Sequence, residues 1–207
     1  IAPLESELPL PSDELRRRAE HFKLAVGTRF VFADGTPDII AYPTDREAWG
    51  RLCRILTVGN RRARKGECIL RLDDVLGQAR GLLFVMMPER RQRAFGDALA
   101  RLAEAAPGAS WLGVALHRHG DDRRHLFRRK AMAEVAGLPL LAVNDALYAD
   151  PGARDLQDVV SCIREGVTIE TAGRRLEANA ERHLKGPREM AALFREAPES
   201  LAETQDL

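Results

Sequence analysis

Apolar positions in this chain follow two patterns, short unbroken runs and longer stretches spaced as on a helix. The run Leu138-Pro-Leu-Leu-Ala-Val-Asn-Asp-Ala-Leu-Tyr148 follows Gly137, a helix stop, and is interrupted by the polar pair Asn144 and Asp145. A run too short for a helix and apolar without alternation predicts a strand buried on both faces, as in a parallel sheet. Gly81-Leu-Leu-Phe-Val-Met-Met87, ended by Pro88, and Trp111-Leu-Gly-Val-Ala-Leu116 carry the same signature. Leu24–Phe32 and Pro37–Tyr42 flank Asp34-Gly35 and predict a hairpin, because Asp and Gly tolerate positive φ at low cost.

Helical spacing fills the intervals. Ser12 can cap a helix through Lys23 with Leu15, Ala19 and Phe22 on one face. Thr44-Asp-Arg-Glu47 reads as a capping box opening a helix that buries Trp49, Leu52, Cys53 and Leu56 and stops at Gly59. A brief helix is expected from Leu72, and another over Glu89–Ala106 with Phe95, Leu99 and Leu102 inward. A helix capped by Asp121 or Asp122 should run to Ala136 with Leu126, Phe127, Ala131 and Val135 facing the core. Ala153–Glu165 places Leu156, Val159, Val160 and Ile163 on one apolar face, and Pro187 suits the first position of a further helix. Alternating strands and helices through Gly166 predict an α/β domain with a mostly parallel sheet, open or closed into a barrel. The helical tail from Val167 is expected to form a separate unit, dividing the chain into 1–166 and 167–207.

Charge narrows the picture only locally. Lys and Arg number 32 against 31 Asp and Glu, so bulk charge does not argue for nucleic acid. Arg61, Arg62, Arg64 and Lys65 put four cations into five residues, a run suited to gripping phosphates and equally to forming a solvated loop. Cys53, Cys68 and Cys162 are widely spaced, which suits reduced thiols and a cytoplasmic protein better than a disulfide frame. No apolar run is long enough to cross a bilayer, so no membrane partner is expected. The chain starts at Ile1 and ends within a helical pattern, so a piece of a longer polypeptide is expected.

Candidate chemistry gathers at strand ends. Asp145 falls at the carboxyl end of its strand, the edge where parallel α/β folds hold ligands and metals, although an Asx residue there equally caps a turn. His117-Arg-His-Gly-Asp-Asp122 offers residue types that bind zinc or manganese without the other ligands of a stable site. No Walker loop, dinucleotide glycine loop or nucleophile elbow is present.

Three blocks carry a resemblance. Ile39–Thr57 leads into Gly59–Cys68, Leu140–Tyr148 into Leu156–Gly166, and Arg174–Lys185 into Pro187–Phe194. Together, in order and spacing, they resemble the amino-terminal region of the bacterial error-prone DNA polymerases of the C family, related to the polymerase III alpha subunit. The resemblance implies a polymerase-and-histidinol-phosphatase (PHP) domain, a distorted seven-stranded β/α barrel of TIM-like form. Here it would lack its first strands and be followed by a short helical connection toward the thumb and palm.

The same resemblance locates the metal ligands such domains use, and this chain departs from them. Arg29 stands where a glutamate is usual, Asp38 where a histidine is expected, Pro88 where a cysteine would follow its strand, and Leu147 in place of the histidine in a closing Asp-x-His motif. Asp145 and Asp38 are what is left of the site. A guanidinium about 4 Å from a cation costs roughly 4 kcal/mol per unit charge at an effective dielectric near 20, and twice that for a divalent ion.

A metal-free, non-hydrolytic module with no catalytic residue is therefore expected. It would support a polymerase core on the same polypeptide and, through it, contact DNA and other translesion or replication proteins. No cofactor is expected in this portion, and magnesium would serve a polymerase site outside it. The alternative is a metal-dependent phosphoesterase or 3′–5′ proofreading exonuclease built from Asp38, His117, His119 and Asp145.

Overall fold

The computed structural model describes residues 24–92 and 94–205. Five strands form one sheet in sequence order: β1 (Thr28–Phe30), β2 (Asp38–Pro43), β3 (Leu82–Met87), β4 (Ser110–Val114) and β5 (Leu140–Ala142). β1, β2 and β3 pair antiparallel, whereas β3, β4 and β5 pair parallel. The sheet is thus mixed and not mostly parallel, because an apolar run buried on both faces has the same composition whichever way it points. Among the described residues it has five strands, with β1 and β5 at its two ends.

The hairpin forms at its expected place. Gly35 takes φ of +83°, while the Asp34 carboxylate accepts hydrogen bonds from the Thr36 amide at 3.1 Å and the Leu72 amide at 2.9 Å. That second bond ties the turn to the start of a distant helix.

Among the described residues eight α-helices accompany the sheet: α1 (Arg46–Arg62), α2 (Leu72–Leu76), α3 (Gly96–Ala105), α4 (Asp122–Ala136), α5 (Arg154–Glu165), α6 (Ile169–Ala172), α7 (Pro187–Leu193) and α8 (Glu199–Ala202). Leu52 and Ile55 of α1, Val75 of α2, Leu99 and Leu102 of α3, and Leu126 of α4 pack with Ile39, Phe84, Met86 and Leu112 of the sheet. Phe194 and Ala197, between α7 and α8, join that core. Val85, Met87, Trp111 and Leu141 form a smaller cluster, and the Trp111 indole donates to Glu203 at 2.9 Å. Residues 187–205 therefore lie against the β4–β5 side of the sheet.

Several local expectations need correcting. Asp45, not Thr44, caps α1 by accepting from the Ala48 amide at 2.7 Å, and Thr44 donates instead to the Gly81 carbonyl at 2.9 Å. Gly59 does not stop α1; it is buried inside the helix, where a Cβ would collide with the side chains of Cys68 and Leu70. Helix α3 starts at Gly96 and not Glu89, because the Glu89 and Gln92 carbonyls are engaged by Arg129. Trp49, Phe127, Ala131 and Val135 are exposed. The inward face of α4 is formed instead by His125, Leu126, Arg129 and Ala133, a half-polar set that apolar spacing does not reveal. The Ser12–Lys23 helix lies outside the described residues.

Candidate functional site

The parallel pairing of β3, β4 and β5 brings three strand ends to one edge. Register places Asp38 of β2 opposite Met87 at the end of β3, and Asp145 follows β5 with a left-handed φ of +48°, a conformation aspartate accepts more readily than most residues. These ends border a cleft of 310 Å³ whose lining includes Arg29, Arg90, His117, His119, His125, Asp145 and Arg182. Gly113 of β4 forms part of its floor, where any Cβ would run into the Met87 sulfur.

Guanidinium groups dominate the electrostatics. Arg29 Nε donates to Asp38 Oδ2 at 2.7 Å and its Nη1 to Asp145 Oδ1 at 3.4 Å, bridging the two carboxylates. From the other side Arg182 contacts Asp145 Oδ2 at 2.8 Å, the Asp145 carbonyl at 3.0 Å and Glu177 Oε1 at 2.7 Å. Arg90 pairs with Asp121 and with Asp122, the latter at 2.9 Å. Within the lining, Arg29, Arg90 and Arg182 balance Glu89, Asp145 and Glu177, so the cleft has no surplus of anionic donors to offer a divalent cation.

The His-x-His loop is held by its own carboxylate. Asp122 accepts from the amides of Arg118 at 2.6 Å and His119 at 3.3 Å, while Asp121 makes no side-chain cap, so neither aspartate caps α4 in the expected way. His117 Nε2 lies 3.3 Å from the Asn144 carbonyl, and the Asn179 amide donates to the His117 carbonyl at 2.7 Å. The structure thus brings His117, His119 and Asp145 to one cleft, with Asp38 joined through Arg29. Among the described residues no three His, Cys, Asp or Glu side chains converge as ligands of one metal ion.

Burial pushes the His125 imidazole down to about 4, with Arg129 and Arg90 adding positive charge nearby. Burial also lowers His117. Both rings are neutral in the fold and take up protons on unfolding below pH 6.5, so stability is complete above that pH and falls as pH drops toward 4. His125, at 7% exposure, should contribute about 3 kcal/mol across this window. Urea unfolding between pH 4.5 and 7.5 should show the rise, and His125→Gln should remove most of it; a flat profile for the unsubstituted protein would contradict the burial of these rings.

Of the basic run, Arg62 is engaged bidentately by Asp74, with one contact at 2.8 Å, and the pairing depresses the Asp74 carboxyl. Arg62 therefore links α1 to α2. Arg61, Arg64 and Lys65 are exposed. Arg182, Glu177 and Arg90 were not singled out from sequence, since nothing local marks an arginine 37 residues from its carboxylate partner.

The fold and cleft define a mixed α/β module whose strand-end rim is closed by arginine–carboxylate pairs. No family model matches the chain. It is similar to the error-prone DNA polymerase of Rhodopseudomonas palustris strain BisB5, 53% identical over 184 residues that cover 88% of this chain and 17% of that polymerase. The error-prone DNA polymerase of Bradyrhizobium diazoefficiens is 51% identical over 189 residues, covering 88% of this chain and 16% of its own length. That of Brucella abortus is 47% identical over 192 residues, with 92% and 18% covered. The chain thus spans about a sixth of the length of the curated relatives it matches. Among the described residues no helix is long and apolar enough to cross a membrane.

Proposed function

We propose that this chain is the PHP-type portion of an error-prone, C-family DNA polymerase, metal-free and non-hydrolytic, and that it supports the polymerase core during synthesis past DNA lesions. Residues 1–166 belong to a β/α barrel of the PHP kind and 167–207 lead toward the thumb and palm. Nucleotide addition from deoxynucleoside triphosphates with magnesium is carried out elsewhere in the longer polypeptide, in the cytoplasm. Arg61, Arg64 and Lys65 supply positive charge toward a DNA backbone held by the whole enzyme.

The observation that supports this reading is the position of Arg29. Its guanidinium lies between Asp38 and Asp145, the two carboxylates a cation would have to share. Similarity to polymerases supplies the context, and Arg182 on the far side of Asp145 completes the replacement of a metal by fixed organic cations. Leu147, exposed two residues beyond Asp145, offers no donor.

Incubation with primed DNA and with p-nitrophenyl phosphate in manganese, zinc or magnesium should release neither nucleotide nor phosphate. Manganese-dependent release abolished by Asp145→Ala would replace this reading with the phosphoesterase or proofreading exonuclease built on Asp38, His117, His119 and Asp145.

A further inference from the structure

Helix α4 carries a charged surface that the cleft does not use. A hollow of 510 Å³ beside the start of the helix is lined by Gly120, Asp121, Arg123, Arg124 and Phe127. The Phe127 ring is 47% exposed, and the Arg123 guanidinium, anchored by Glu196 at 3.0 Å, lies 5.7 Å from its centroid. The Asp121 carboxylate in that lining is engaged by Arg90. Arg124 is exposed, and Arg128 follows it one turn along the same face, at roughly 6 Å between Cβ atoms. Among the described residues neither Arg124 nor Arg128 has a carboxylate partner.

This juxtaposition selects a ligand that is both anionic and flat. With Asp121 and Glu196 already paired, Arg124 and Arg128 leave two cations uncompensated beside an exposed aromatic ring. Phosphates satisfy such cations and an unpaired base stacks on such a ring, the combination that holds single strands without sequence preference. A duplex offers the same phosphates but keeps its bases in the stack, and an acidic peptide brings no flat group for the ring. A mononucleotide carries both groups, but two cations a turn apart in a row along the helix suit the successive phosphates of a strand better than one phosphate. The run Arg61, Arg64 and Lys65 has no aromatic residue within it and so lacks this second element.

We infer that the outward face of α4 around Phe127 binds single-stranded nucleic acid, with a base on the Phe127 ring and phosphates on Arg124 and Arg128. Arg123 is a positioning residue that holds the ring through its cation–π contact. The inference goes beyond the reading above, which places only Arg61, Arg64 and Lys65 toward a DNA backbone, and it stands on the α4 geometry alone.

Fluorescence anisotropy of a labelled oligo(dT) strand with the full 207-residue chain tests it. The strand should bind more tightly than the corresponding dA·dT duplex, and Phe127→Ala should weaken strand binding about fivefold or more while Phe127→Trp keeps it. Arg124→Gln/Arg128→Gln should also weaken binding and reduce the slope of log affinity against log salt by about 1.4, whereas Phe127→Ala should leave that slope unchanged. Phe127 and Arg124 are exposed and Arg128 partly so, and an unaltered melting temperature verifies the fold of each variant. Arg61→Gln/Arg64→Gln/Lys65→Gln should leave the preference for strand over duplex intact, which separates this surface from the basic run. Equal affinity for strand and duplex, or full strand affinity in Phe127→Ala, would overturn the inference. So would poly-glutamate or thymidine monophosphate competing as well as the strand, the first marking an acidic protein and the second a free nucleotide.

Discussion

Arg129→Ala should lower the stability of this protein by about 3 kcal/mol. Arg129 is 1% exposed on the inward face of α4. Its guanidinium donates to the Glu89 carbonyl at 2.7 Å and the Gln92 carbonyl at 3.2 Å and lies 4.9 Å over the Phe95 ring. Among the described residues no carboxylate pairs with it, so carbonyl dipoles and a ring face stabilise the charge. Burial, with Arg128 and Arg90 adding to it, pushes its pKa down to about 10, which still leaves it charged at neutral pH.

Truncation leaves the Gln92 carbonyl without its donor, takes one of two donors from the Glu89 carbonyl, which keeps the Gln92 amide, and removes a desolvated cation–π contact, at roughly 1–2 kcal/mol for each of the three. Relief of the buried charge offsets part of this, which keeps the sum near 3 kcal/mol. The loss should appear as a fall of roughly 6–12 °C in melting temperature. Arg129→Lys should rescue little, because one ammonium cannot reproduce the planar fork that spans both carbonyls. Full stability in Arg129→Ala would mean that the 89–95 segment closes without this residue.

Arg182→Ala is expected to cost about 2–3 kcal/mol, with a local signature. Three polar contacts to Asp145 and Glu177 disappear from a side chain only 18% exposed, while Asp145 keeps Arg29. The Arg182 carbonyl accepts from the amides of Leu147 at 2.7 Å and Tyr148 at 3.3 Å, and Leu184 donates to the Tyr148 carbonyl at 2.9 Å. Release of the side chain should therefore speed hydrogen exchange at 147, 148 and 184, with the sheet unaffected. Arg182→Lys should keep a cation beside Asp145 but not the second contact to Glu177. Uniform loss of protection across the sheet would assign Arg182 to the core and not to the rim.

What sequence reveals of this fold is what apolar patterning controls. The β3, β4 and β5 runs, the Asp34-Gly35 turn and the Gly137 and Gly166 helix ends lie where the sequence puts them, because each is set by local chemistry. Strand direction was not legible: β2 reads the same whether it runs with or against β3. The inward face of α4 was also hidden, since a buried arginine satisfied by carbonyls more than 35 residues away has no local signature. The stripe on α5 was visible as apolar spacing, but its outward orientation was not, because spacing identifies a face without saying what that face meets.

In the cleft, Arg29, Asp38, His117, His119 and Asp145 were legible as chemistry. The geometry adds that Arg29 spans the two aspartates and that Arg182 holds the second of them from behind. Arg29 lies 9 positions from Asp38 but 116 from Asp145, and Arg182 lies 37 from Asp145. These relations depend on the order of strands in the sheet, which no local pattern encodes.

The most direct measurement of the central claim is metal content after equilibration with manganese and zinc at neutral pH and removal of free ions. With Arg29 and Arg182 holding Asp38 and Asp145, substoichiometric metal is predicted, unchanged by Asp145→Ala. One or more equivalents of tightly held metal, lost on that substitution, would contradict the account.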